Sequence, residues 1–173
     1  MRGDDSTAGG GRRRKKESNM PNKPLSQTIC PMISVKSIEE SFRFYTHVLG
    51  FLPGGTMPGP DGKWGHAEVT LGNVCLMFGR IDQATMDPAL AKTSYVEHTK
   101  KGAVGGGVNL YINLGLASVD NYYKAIRERG AKPLNEPATM FWGDRMFTVA
   151  DPDGYLLSFA ETVAEMDLSK APK

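Results

Sequence analysis

Ser37-Ile38-Glu39-Glu40-Ser41-Phe42-Arg43-Phe44-Tyr45, followed by Val48-Leu49-Gly50-Phe51, is the stretch whose reading decides the fold. Ser37 is a helix-capping residue type, and Glu40, three positions on, completes the capping-box pattern in which each side chain satisfies a backbone donor left open at a helix start. Behind this cap, Ile38, Phe42, Tyr45 and Leu49 recur at helical spacing and form one apolar stripe. Gly50 then supplies the left-handed residue that stops a helix. Residues 28–35 upstream read as a strand. Downstream, 52–57 reads as a weak strand, Pro58-Gly59-Pro60-Asp61-Gly62 as a turn, and 65–71 with 74–78 as a hairpin about Gly72-Asn73. The order is β-α-β-β-β.

The same order returns about 80 residues later, and such internal repetition outranks other fold arguments. Residues 108–114 repeat the first strand. Ser118 caps a second helix, with Val119, Tyr122, Tyr123 and Ile126 at helical spacing, and Gly130 ends it as Gly50 ended the first. A short strand at 132–134, a strand at 145–150 and a last strand at 155–161 complete the unit. Asp151-Pro152-Asp153-Gly154 joins the last two, and its carboxylates read as turn-makers ahead of catalysts. The organisation expected is therefore a leader at 1–24, a first module at 25–79, a linker at 80–107, a second module at 108–161 and a tail at 162–173. In the linker, Asp87-Pro88 reads as the start of one short helix. Gly105-Gly106-Gly107 at its end is no phosphate cradle, because a strand and not a helix follows it.

Composition narrows the function classes. With 173 residues, 40% of them hydrophobic, the chain can bury one substantial core. No stretch approaches the roughly 18 consecutive apolar residues of a membrane span. The net charge is +2, but residues 1–24 carry seven basic against three acidic side chains, leaving the remainder at −2. That cluster lies in a Gly-rich, aromatic-free leader and reads as disordered, not as a nucleic-acid arm. Cys30 and Cys75 sit in apolar strand-like runs without CxxC spacing, so two buried free thiols in a reducing, cytoplasmic setting are expected.

The helix opening with its "FY" and "LGF" elements, together with His66-Ala67-Glu68-Val69, Trp142-Gly143-Asp144-Arg145 and Asp151-Pro152-Asp153-Gly154-Tyr155, resembles the vicinal oxygen chelate proteins of the glyoxalase, bleomycin-resistance and dioxygenase type, in particular their PhnB-like branch. The resemblance covers nearly all of 27–161. It implies an α+β fold in which two βαβββ modules form an eight-stranded half-barrel sheet around a concave pocket, with helices on the convex side, usually in a homodimer.

The resemblance also implies a place for a divalent metal, held by His and Glu side chains from the first and last strand of each module. At those positions this chain has Cys30, Leu76 or Met77, the stretch Asn109 to Tyr111, and Ser158. Such metals take three or more His or carboxylate groups, so no cofactor is expected. On the fifth strand Asn109, Tyr111 and Asn113 alternate with apolar residues and should face the pocket. His66 and Glu68 share one strand face, either as a displaced pair of ligands joined by Cys30 or as the wet side of a half-exposed strand. His47 and His98 read as solvated surface residues. Glu161 is expected on the face opposite Ser158, and Cys30 lacks a base that would make it a nucleophile.

Trp142-Gly143-Asp144-Arg145 offers a close backbone approach and a guanidinium fork for an anionic ligand, or else an Asp144–Arg145 ion pair with Trp142 as packing. Phe141, Trp142, Tyr111, Met57 and Met77 would supply an aromatic and apolar lining. The expected ligand-binding set is His66, Glu68, Met77, Asn109, Tyr111, Trp142, Arg145 and Ser158. Its partner is a small organic molecule, with a metal-dependent lyase, isomerase or dioxygenase-like enzyme as the alternative. Neither nucleic acid nor membrane is expected as a partner.

Overall fold

The structure, a computed structural model, describes residues 29–81, 104–115 and 117–171. The short helix expected at Asp87-Pro88, His98 and the basic leader fall outside them. Two four-stranded mixed sheets carry the fold. In the first, β1 (Met32–Val35), β2 (Leu52–Pro58), β3 (Trp64–Leu71) and β4 (Val74–Arg80) take the order β1-β4-β3-β2. In the second, β5 (Asn109–Asn113), β6 (Ala138–Thr139), β7 (Asp144–Ala150) and β8 (Leu156–Thr162) repeat it as β5-β8-β7-β6. Within each module the first strand lies parallel to the last. The eight strands thus form two hydrogen-bonded sheets, neither closed into a barrel.

Helix α1 (Ile38–Arg43) starts where Ser37 accepts the Glu40 N–H at 3.2 Å. It widens into a π-helical turn, Phe44–Val48, closed by Leu49 N–H donating to the Phe44 carbonyl at 3.1 Å. Helix α2 (Val119–Glu128) is capped by Ser118, which accepts the Asn121 N–H, and by Glu161, whose Oε1 accepts the Val119 N–H at 3.1 Å. The carboxylate at this positive end is favourably placed. Both apolar stripes reach the core, with Ile38, Tyr45, Leu49, Val119 and Ile126 fully buried against Phe78, Phe147 and Phe159 in one continuous cluster. No helix among the described residues is long and apolar enough to cross a membrane.

The short strand expected at 132–134 does not form, and β6 starts four residues beyond its expected end. Asn135 explains the displacement: its Oδ1 accepts the Thr148 N–H at 2.8 Å, a donor that a paired strand would have taken on its backbone. Leu134 N–H still reaches the Thr148 carbonyl at 2.8 Å, and Pro137, which has no donor, separates this contact from the two-residue ladder of β6.

The cysteines also depart from expectation. Cys30 and Cys75 are joined as a disulfide with Cα atoms 5.0 Å apart, and both are only partly buried. The parallel pairing of β1 with β4 brings them together, because the register that sets Met32 beside Met77 sets Cys30 beside Cys75. Residues 45 apart in sequence become lateral neighbours.

The turn between β7 and β8 joins the two modules. Asp151 is 6% exposed and Asp153 8%. Asp151 accepts the Asp153 and Tyr155 N–H groups on one oxygen, at 2.9 and 2.8 Å, and the Tyr45 hydroxyl on the other at 3.0 Å. Asp153 accepts the Lys36 N–H at 3.1 Å and the Ser41 hydroxyl at 3.2 Å. Tyr155 donates its hydroxyl to the Ser34 carbonyl at 3.0 Å, and Tyr122 donates to the Leu49 carbonyl at 2.7 Å. Gly105, at φ +75°, packs onto the Gly154–Tyr155 peptide so closely that an added Cβ would lie 2.5 Å from the Gly154 carbonyl carbon.

Burial raises the Asp151 pKa, partly opposed by the hydrogen bonds from Tyr155 and Tyr45. The same burial, reinforced by the Asp151 carboxylate, raises that of Tyr45. Asp151→Ala strands three donors in the core and should cost about 2–4 kcal/mol in urea unfolding, whereas Asp151→Asn keeps an oxygen for the two amides and should cost less. The raised pKa fixes the sign of the pH dependence. Stability contributed by Asp151 is fully present below its unfolded value of about 4 and falls as pH rises toward the folded value. The margin of the wild-type chain over Asp151→Asn should therefore narrow across that window.

Candidate functional site

Helices cover one face of each sheet, and strand alternation assigns every other residue to the opposite, open face. On the first sheet, Met32, Met77 and Glu68 form one cross-strand row, and Ser34, Gly79, His66 and Met57 form the next. Met77 is therefore the outward residue and Leu76, 1% exposed, belongs to the core. His66 and Glu68 point the same way and touch, Nε2 to Oε1 at 3.3 Å. His47 is exposed, beside the Thr46 hydroxyl at 2.9 Å.

On the second sheet, Tyr111, Ser158 and Thr148 form a row across β5, β8 and β7. Ser158, fully buried, donates to Asn109 Oδ1 at 3.0 Å and lies 3.1 Å from the Thr148 hydroxyl. The Tyr111 hydroxyl reaches past the Met146 sulfur to donate to Asp144 at 2.5 Å. Asp144 also accepts the Thr162 hydroxyl at 2.8 Å. Tyr111, 46% exposed, and Trp142, 37% exposed, flank this carboxylate, and Phe141 stands edge-on to Trp142. The Tyr111 hydrogen bond is the main cause of a lowered Asp144 pKa, with Thr162 and the Trp142 indole adding to it. Partial burial and the same carboxylate raise the Tyr111 phenol.

Arg145 lies elsewhere. Being adjacent to Asp144 on a strand, it faces the helices, where its guanidinium forks onto Asp120 of α2 at 2.6 and 2.8 Å. Neither an anion-binding fork on the open face nor an Asp144–Arg145 pair is formed. Glu161 shares that helix-side face, opposite Ser158, as its alternation with Ser158 requires. The close approach offered by Gly143, at φ +97°, is taken by the chain's own C-terminal segment. The Gly143 carbonyl accepts the Val163 and Ala164 N–H groups at 3.0 and 3.1 Å, and a Cβ on Gly143 would collide with the Ala164 carbonyl.

Asp144, Thr148 and Thr162 are the open-face residues that motif reading passed over as binding groups. The signal was present in the turn at 151–154, which fixes each cross-strand partner of β7 and β8 and so sets Thr148 opposite Ser158.

With the fold and this geometry established, the sequence model of the Glyoxalase/Bleomycin resistance protein/Dioxygenase superfamily matches residues 29–159. The chain belongs to this superfamily. Similar sequences include an uncharacterised Mycobacterium tuberculosis protein, 26% identical over 143 residues that cover 82% of this chain and 78% of the relative. Another is a probable lactoylglutathione lyase of Synechocystis sp., 27% identical over 79% of this chain and 95% of its own. Among solved structures, TioX from Micromonospora sp. superposes with a TM-score of 0.57 at 19% identity, covering 79% of this chain and all of TioX. A superfamily protein from Nocardioides gives 0.57 at 22% identity, covering 87% of this chain and 93% of its own. These structural likenesses concern the fold.

The divalent metal associated with this superfamily needs at least three hard or borderline donors converging on one point. The corresponding positions here carry a cysteine held in a disulfide, a thioether, Asn109 with Tyr111, and a serine bonded to Asn109. Among the described residues no three His, Cys, Asp or Glu side chains gather as a metal site would require. The donor set does not fit that metal.

Tyr111→Phe removes the leading cause of the lowered Asp144 pKa. Carboxyl carbon NMR titration should show the Asp144 midpoint rising toward the usual aspartate value. Because a depressed carboxylate stabilises above its unfolded pKa and loses that contribution as pH falls, the variant should be less sensitive to acid. The difference should stay under about 1 kcal/mol for a group this exposed.

Proposed function

We propose that this superfamily member binds a small, flat organic molecule on the open faces of its sheets, without the superfamily's metal, and acts by sequestering it. One observation carries the reading: where a cation would require imidazole and carboxylate, Ser158 is already hydrogen-bonded to Asn109, with the Thr148 hydroxyl on its other side. Beside them stand two exposed aromatic rings, Tyr111 and Trp142, on either side of an ionised Asp144. Aromatic faces beside a few fixed polar groups suit stacking of a planar ligand with one cationic or hydrogen-bond-donating edge. His66, Glu68 and Met77 extend the same kind of lining on the first sheet. On this reading the protein sits near the PhnB-like branch and acts as a homodimer.

A second reading is an enzyme, favoured by the His66–Glu68 contact and by the lyase name of the Synechocystis relative. Its displaced metal site would rest on these two side chains, since Cys30 is committed to the disulfide.

The two readings separate by titration against a panel of planar aromatic compounds and hemithioacetals, before and after chelation and with Zn²⁺, Ni²⁺ or Fe²⁺ restored. Sequestration predicts saturable binding of an aromatic compound that survives chelation and weakens about tenfold or more in Trp142→Ala, with the melting temperature preserved. Turnover of a hemithioacetal that vanishes on chelation, returns with metal and is lost in His66→Ala would overturn it.

A further inference from the structure

The first sheet carries a feature independent of any bound organic molecule. Cys30-Pro31-Met32 and Cys75-Leu76-Met77 are two Cys-x-Met segments. They lie on neighbouring strands in parallel register, Met32 beside Met77 and Cys30 bonded to Cys75, and the Met77 N–H donates to the Pro31 carbonyl at 2.9 Å between the two rows. Alternation puts all four sulfur side chains on the open face. The only two cysteines of the chain and two of its nine methionines thus occupy one patch. Leu76, between Cys75 and Met77, points into the core, so the patch is fixed by the sheet.

We propose that reduction of the Cys30–Cys75 disulfide exposes a soft-cation site, built from both thiolates and the thioethers of Met32 and Met77, that binds Cu(I) or its analogue Ag(I). Thiolate and thioether sulfur select such ions over the harder divalent metals. All four donors come from one module, unlike the superfamily's arrangement, which draws on both.

The dimensions suit it. Neighbouring strands lie about 4.8 Å apart and successive same-face rows about 6.7 Å, so four sulfurs start from a small rectangle around one point. Met32 is 52% exposed. Its sulfur now leans over Gly79, 3.9 Å from where a Cβ would stand there. Rotation about its unbranched side chain turns it back toward the cysteines. Chemically, an external dithiol gives two electrons and two protons to the disulfide and becomes a disulfide itself. Cys30 and Cys75 are left as thiols, and the ion displaces their two protons on binding. In the oxidised chain the two thiolates are consumed by each other, so the site opens only under reduction.

The test is anaerobic competition of the full chain against a chromophoric Cu(I) chelator, with the protein either reduced by an immobilised dithiol or left oxidised. In parallel, methyl-¹³C methionine spectra are followed during Ag(I) addition. The expected result is one Cu(I) per reduced chain, at least about tenfold weaker binding by the oxidised chain, and a similar loss in the reduced Met32→Leu, Met77→Leu double variant. Ag(I) should shift the Met32 and Met77 methyl signals and leave that of Met146, beneath Tyr111, unmoved. Equal binding by oxidised and reduced chains, or reduced-state binding indifferent to the two methionines, overturns the proposal. The leucine variants are close in volume and retain both cysteines, so an unchanged melting temperature separates lost ligation from lost fold.

Discussion

The two modules are held in one arrangement by a pair of nearly buried carboxylates. Asp151 and Asp153 do more than shape the turn that carries them: they accept the Tyr45 and Ser41 hydroxyls and the Lys36 backbone from the other module. A carboxylate removed from water is tolerated only when its oxygens are filled, and here five donors fill them. The turn thereby acts as a polar keystone within an otherwise apolar contact, flanked by Tyr155 on Ser34 and Tyr122 on Leu49. Hydrophobic packing brings the helices to the sheets without specifying one angle between modules; directional bonds from fixed oxygens do specify it.

Because this keystone lies on the helix side, it leaves the opposite faces of the sheets to other side chains. Their chemistry is divided. The second sheet presents a hydrogen-bonded polar line and an aromatic pair around Asp144, whereas the first presents sulfur, one imidazole and one carboxylate. This difference in softness underlies the two ligand chemistries proposed above, and among the described residues the lack of a donor set fitting the superfamily's metal follows from side chains alone, with the backbone scaffold kept.

Local signals in the sequence were good guides to local structure. Ser37 and Ser118 cap the helices, Gly50 and Gly130 end them with φ of +78° and +96°, and the alternation of Asn109, Tyr111 and Asn113 gives the open face of β5. The repeat gave the topology. Long-range partnerships were harder to read: a side chain's partner depends on which strands become neighbours, and periodicity is silent on that. Cys30 and Cys75 read as separate buried thiols because only the β1–β4 pairing relates them. Arg145 read as a ligand contact because its face depends on the register of β7, and Asp120, its partner, lies 25 residues away. The strand expected at 132–134 failed for a local reason, the Asn135 amide standing in for a backbone acceptor.

The C-terminal segment ends as part of the aromatic wall. Its Val163 and Ala164 amides clasp Gly143, and Asp167 N–H donates to the Phe141 carbonyl at 2.7 Å, so the backbone carrying Phe141 and Trp142 is braced by residues that follow the last strand. Shortening the chain before residue 167 removes this brace, and with it the fixed presentation of the indole.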